Sequence, residues 1–152
     1  ISVHSGSDKF SVFPLVGKLS HGRFHLKTAG TSWLEAMKLI AKCEPELYRE
    51  VHTCALSRFE DAKKYYVVTT DISNIPALDT LSDAELPRLF DNNDARQLIH
   101  ITYGFILSAR DEQDDFIYRG RLYAAWRRHA EEYRSLLAAH IGRHISELDS
   151  LI

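Results

Sequence analysis

The fold is decided by two short stretches, ISVH (Ile1 to His4) and FHLKT (Phe24 to Thr28). Each alternates apolar and polar residues with the two-residue period of a strand that has one apolar and one polar face. Between them Ser5-Gly6-Ser7-Asp8 turns the chain, Lys9 to Leu19 crosses back as a short helical or irregular stretch, and Ser20-His21-Gly22 turns it again. Two short strands with a crossover of this length predict a parallel βαβ unit whose apolar face is covered by helices. Two strands alone do not make a stable parallel sheet, because such sheets are buried on both faces and need several neighbours. Further strands are therefore expected upstream. The economical completion is α/β: the last strands of a TIM-barrel-like enzyme, followed by its final helix and a mostly helical C-terminal extension. The start at Ile1, directly inside a strand pattern and without an initiator Met, reads as a chain cut from something longer.

The rest reads as helix. Ser32 and Glu35 suggest a capping box, ahead of an apolar face made by Trp33, Ala36, Met37 and Ile40. Pro45 suits the first turn of the next helix, whose stripe is Leu47, Val51, Ala55, Phe59 and Ala62. Tyr65 to Thr70 suggests a brief extended segment, and Asp71 to Thr80 a loop. Ser82 and Glu85 form a second box before a short helix ending ahead of Asp91. Residues 94 to 107 fit either period, but Asp94 with Gln97 offers a cap and the apolar pattern outlasts a usual strand, which favours helix. From Asp114 the residues Phe116, Leu122, Trp126, Tyr133, Leu137 and Ile141 trace one long amphipathic helix, with a break expected at Gly142. Residues 1–43 thus read as the last βα units of a barrel and 44–152 as the helical extension, within one continuous domain of a larger parent.

Composition narrows the partners. Nineteen Lys and Arg against twenty-one Asp and Glu leave a net charge of -2, so there is no basic field to draw in nucleic acid or an anionic membrane. No apolar run is long enough for a membrane span. Cys43 and Cys54 form no CxxC pattern and read as reduced, packed thiols, as expected of a cytoplasmic protein. Small molecules or other protein surfaces are the expected partners. Self-association is also expected, because the two strands leave an open edge.

In a parallel barrel the C-terminal ends of strands and the loops after them face the reaction centre. The first strand ends in His4, Ser5, Gly6, Ser7, Asp8 and Lys9; the second offers His25, Lys27, Thr28 and Thr31. Alternation sets His4 opposite Ile1 and Val3, and His25 and Lys27 opposite Phe24 and Leu26. Two inward imidazoles from adjacent strands suit a divalent metal cation (Zn, Mn, Ni, Co or Fe), with carboxylates from other strands completing the shell. They also suit hydrogen-bonded barrel residues, and spacing leaves the two readings even. Lys9 and Lys27 suit a substrate carboxylate, with Ser5, Ser7 and Thr28 adding hydrogen bonds; the plainer role is a salt bridge with Asp8 or with an acid on another strand. His140 and His144 share a helical face but lack the HExxH pattern, and with His129 they read as solvated or interfacial.

The segments HSGSDKFSVFPLVGK (His4 to Lys18), HLKTAGTSWLEAMKLIA (His25 to Ala41), DARQLIHITYGFIL (Asp94 to Leu107) and LLAAHIGRHISEL (Leu136 to Leu148) together resemble the C-terminal portion of the tagaturonate/fructuronate epimerase family. The resemblance implies a divalent-metal-dependent isomerase that inverts C4 of a keto-hexuronate in bacterial hexuronate catabolism. It implies His4 and His25 as metal ligands, and Ser5, Ser7, Asp8, Lys9, Lys27, Thr28 and His100 as substrate contacts. The acid/base residues are then expected upstream, so that the isolated chain is expected to be inactive. The rival from another class is a non-catalytic helical interaction or oligomerisation module over residues 44 to 148.

Overall fold

The computed structural model of the chain describes residues 2–4, 10–21, 23–27 and 30–149. Strand β1 (Ser2–His4) pairs in parallel with β2 (His25–Lys27), and helix α1 (Phe13–Ser20) makes the crossover, as the alternation predicts. The register sets Ser2 against His25, Val3 against Leu26 and His4 against Lys27. Val3, Phe24 and Leu26 pack with Phe10 onto the buried Phe13 and Val16 of α1, forming a small apolar cluster. The other side of β2 carries the exposed His25 and Lys27.

The larger core is helical. Helix α2 (Thr31–Cys43) supplies Leu34, Met37, Ile40 and Ala41, and α3 (Pro45–Lys63) supplies the predicted stripe of Leu47, Val51, Ala55, Phe59 and Ala62. Pro45 occupies the first turn of α3, where its missing N–H leaves no hydrogen bond unmade. The connection after α3 runs through short 3₁₀ turns at Ile72–Asn74 and Leu78–Thr80. Arg49 pins it to α3, donating to the carbonyls of Leu78 (2.6 Å) and Leu81 (2.7 Å) while pairing with Asp83. The predicted box at Ser82 is present, with Glu85 accepting from the Ser82 amide at 2.9 Å and its hydroxyl at 2.6 Å. What it opens is a 3₁₀ segment, Asp83–Asp91, tightened around the internal Pro87.

Residues 94 to 107 are helical, in two pieces: α4 (Asn93–Ile101) and α5 (Tyr103–Ser108). Thr102 divides them, its buried hydroxyl donating to the Leu98 carbonyl at 2.7 Å. The break leaves Tyr103 turned outward, while Leu98, Ile99 and Ile106 are buried. Asn92 rather than Asp94 caps α4, accepting from the Ala95 amide at 2.8 Å.

Two further expectations fail, at the start of α2 and in the C-terminal helix. Ser32 and Glu35 do not cap α2: the helix starts at Thr31 after Gly30, and Glu35 is drawn into the seam with the C-terminal helix, 3.2 Å from His140. Residues 65–70 join no ladder among the described residues, and Val67 is fully exposed. The long C-terminal helix is split in two, α6 (Arg119–Arg128) and α7 (Ala130–Asp149), with the break at His129 and not at Gly142. Residues 114 to 118 lie outside it. The Asp111 carboxylate accepts from the Gln113 and Asp115 amides, Asp114 takes a positive φ of 67°, and the Arg110 guanidinium covers the Phe116 ring. An interior Gly costs only about 1 kcal/mol relative to Ala, too little to end a helix held by packing at both ends.

His52 on α3 is completely buried beside Tyr48, with Nδ1 at 3.2 Å from the phenol oxygen and Nε2 without a hydrogen-bond partner among the described residues. Desolvation pulls its pKa from 6.5 to about 4. The unfolded chain therefore takes up a proton that the fold refuses. This contribution to stability is complete above pH 6.5 and lost as pH falls toward 4. Denaturant unfolding should show a loss approaching roughly 3 kcal/mol across that window, and His52→Leu should flatten it. An unchanged slope in His52→Leu would locate the acid sensitivity elsewhere.

Candidate functional site

The βαβ register decides which polar side chains share a surface. Partners in a parallel ladder lie on the same face, so Ser2, His25 and Lys27 form one row on the side away from α1, with the backbone of His4 in register beside Lys27. Ser2 Oγ lies 3.2 Å from His25 Nδ1, a contact that orients the imidazole and engages one of its two nitrogens. Lys27 is exposed at the end of the row, paired in register with His4. Ser5, Ser7, Asp8, Lys9 and Thr28 lie outside the described residues.

His100 reaches the same end of the sheet from a distant part of the chain. The Trp33 indole donates to the Ile99 carbonyl at 2.9 Å, docking α4 against the first turn of α2. The neighbouring His100 then presses on Gly30, where a Cβ would sit 2.4 Å from its Cε1 atom. Gly30 also has a φ of 97°, in the left-handed region that glycine enters without steric penalty. Two constraints thus meet at this residue, which links β2 to α2.

From Gly30 the surface continues into a polar cleft of about 440 Å³ between α4 and residues 67–70, lined in part by Thr70, Asp94, Arg96, Gln97 and His100. Arg96 is anchored by donating to the Phe90 carbonyl at 3.2 Å. Asp94 accepts from the Asp71 amide at 3.0 Å and from Asn74 at 3.1 Å. Such a lining offers donors and acceptors to a polyhydroxylated or carboxylate-bearing ligand. A roomier cleft of about 820 Å³ lies between α3 and residues 105–118, and none of the described sequence-predicted site residues lines it.

Arg96 and Gln97 were not singled out as site residues in the sequence. Their only signal there is position, on the same helix as His100 and one turn before it. No described helix is long and apolar enough to cross a membrane.

The family model for UxaE, tagaturonate epimerase, matches residues 1–148. The tagaturonate/fructuronate epimerase of Thermotoga maritima is 43% identical over 149 residues, which are 98% of this chain and 30% of that protein. Two crystal structures of the fructuronate-tagaturonate epimerase UxaE from Cohnella laeviribosi superpose on 97% of the chain. One is the native form, with a TM-score of 0.94 and 50% identity, and the other is complexed with two glycerols, with a TM-score of 0.95 and 49% identity. In each case the chain spans 30% of the length of the relative.

Gly30→Ala should destabilise the fold by about 1–3 kcal/mol, through positive-φ strain and collision with His100. A double-mutant cycle with His100→Ala separates the two: relief of the collision should appear as a coupling of about 0.5–3 kcal/mol, measured by denaturant unfolding. Strict additivity would mean that His100 does not bear on Gly30.

Proposed function

The chain belongs to the tagaturonate epimerase family, and from that premise we propose that it forms the C-terminal part of an epimerase interconverting keto-tagaturonate and keto-fructuronate. The observation that carries the reading is the polar row on the β1–β2 ribbon, with His100 and its cleft beside the end of β2. A parallel sheet this small, apolar toward α1 and polar on its other side, is completed by strands from the remainder of the parent, as in a barrel whose reaction centre lies at the C-terminal ends of its strands.

The donor set fits a divalent cation as a partial shell. His4 and His25 would supply two nitrogen ligands, and Ser2 already holds the His25 ring by its Nδ1 edge. The remaining ligands would come from strands outside this chain. A cation bound there supplies Lewis acidity toward the oxygens of a hydroxy-keto acid. Lys27 and Lys9 would pair with the substrate carboxylate, and Ser5, Ser7, Asp8 and Thr28 would hold sugar hydroxyls. His100, fixed against Gly30, would contact the substrate from the cleft side.

The chemistry of the substrate constrains the step. A C2 ketone acidifies C3 but not C4, so simple enolisation would invert the wrong centre. Retro-aldol cleavage accounts for inversion at C4. The C4 hydroxyl loses its proton and becomes an aldehyde, the C3–C4 bond breaks, and its electron pair passes into the C2 carbonyl as an enolate. Rotation of the aldehyde followed by re-addition reforms the bond with the opposite configuration. Acid and base residues on the rest of the parent would carry the proton.

In the full-length parent, His4→Ala and His25→Ala should each lower bound divalent metal at least tenfold, together with turnover. Unchanged metal content in both variants would remove the histidines from the ligand set. The 152-residue chain alone should turn over the substrate at a negligible rate, and activity comparable to that of the parent would overturn the division of the site.

A further inference from the structure

Cys43, His129 and Glu132 come together where the α2–α3 corner meets the α6–α7 corner. One ligand-type atom from each, a thiol sulfur, an imidazole nitrogen and a carboxylate oxygen, lies within 4.8 Å of the other two. We propose that these residues form a binding site for a zinc-class divalent cation that staples the two helix corners together.

The donors sit on helix ends, so their backbones are held by packing and not by loops. Cys43 is the last residue of α2, His129 is the break between α6 and α7, and Glu132 lies in the first turn of α7. The Cys43 thiol donates to Glu132 Oε2 across 3.3 Å, so the proton of that S–H···O contact occupies the place a cation would take between sulfur and oxygen. The second carboxylate oxygen, Oε1, is engaged by Lys42, which leaves Oε2 as the oxygen turned toward sulfur. His129 Nε2 is 3.1 Å from Glu44 Oε1, and Arg128 holds the same carboxylate. Glu44 thereby anchors the ring next to the thiol, in the manner of a carboxylate that backs a metal-bound histidine.

Tetrahedral zinc with sulfur, nitrogen and oxygen ligands places neighbouring donor atoms about 3.3–3.6 Å apart. The present separations, all within 4.8 Å, exceed those of a closed site by about 1 Å at most. Thiolate, imidazole and carboxylate together select zinc, cobalt or cadmium over magnesium and calcium, which prefer all-oxygen shells. All three side chains are partly exposed, so a cation can enter from solvent. The sequence carries no spacing signal for this group, because Cys43 and the other two donors are brought together by the packing of α6 and α7 on α2.

Cadmium is the direct probe, since thiolate coordination produces an ultraviolet charge-transfer band. Titration of the protein with Cd²⁺ at neutral pH should develop that band with one-to-one stoichiometry, and Zn²⁺ should compete it away and raise the melting temperature. Cys43→Ser should abolish the band, and His129→Gln and Glu132→Gln should each weaken Cd²⁺ binding at least tenfold. Cys54→Ser, which removes the only other cysteine, should change nothing. The His4→Ala/His25→Ala protein should keep the band, so the outcome here does not depend on whether those histidines bind metal. Circular dichroism on each variant shows that the helices remain. Absence of the band, its survival in Cys43→Ser, or equal affinity in the His129 and Glu132 variants would overturn the proposal.

Discussion

Helix α2 is gripped from several sides by hydrogen bonds, and the arrangement of the rest of the chain depends on that grip. The Trp33 indole donates to the Ile99 carbonyl of α4, the Trp126 indole of α6 donates to the Ala36 carbonyl, and the Tyr133 hydroxyl of α7 donates to the Ser32 carbonyl. The two indoles also meet edge to face, with ring centroids 6.0 Å apart. The two indole bonds are partly buried and the tyrosine bond is exposed, so each contributes about 0.5–1.5 kcal/mol, and the two indole bonds resist a shift of α4 or α6 along α2. Because α2 begins at Thr31, a few residues after the end of β2 at Lys27, the bonds that order the helical body also bear on where the end of the strand lies.

The C-terminal helix extends this control to the other strand. Arg143 of α7 covers the Phe10 ring at 3.8 Å, and the His144 ring lies 4.8 Å from it, while Phe13 meets it edge-on at 5.5 Å. Phe10 directly follows the segment from Ser5 to Lys9, so α7 braces the chain at the exit of that segment. Beneath this cluster the buried Glu35 faces His140, a polar contact that fixes the rotation of α7 against α2. The exposed pairs Lys63–Glu60 and Lys64–Asp61 contribute little by comparison, since solvent-exposed ion pairs are worth about 0–1 kcal/mol. The cohesion lies in the two apolar clusters and in the few buried polar contacts that orient them.

Seen this way, the two histidines at 140 and 144 have a structural role that their spacing alone did not reveal. The i,i+4 interval puts both on one face of α7, as it would for metal ligands. What faces them is an aromatic ring from the βαβ unit and a carboxylate from α2. They join the small cluster around Phe13 to the large helical core.

Local chemistry sufficed for much of this chain. The two-residue alternation determined that Ser2–His4 and His25–Lys27 are strands, and the short crossover determined that they run parallel. The apolar stripe and Pro45 determined α3, Ser82 with Glu85 determined the capped segment after it, and the long apolar pattern determined that residues around His100 are helical. These are interactions between residues a few positions apart, and their periods can be read from one strand or one helix. Other features depend on partners far along the chain. Glu35 left its expected cap for His140, the long final helix broke at His129 and not at Gly142, and His100 came to rest on Gly30 only because the Trp33 indole reaches Ile99. Tertiary packing decided these, because a buried carboxylate, a helix break or a ring against a glycine is settled by what lies across the interface, and that neighbour has no fixed distance in sequence.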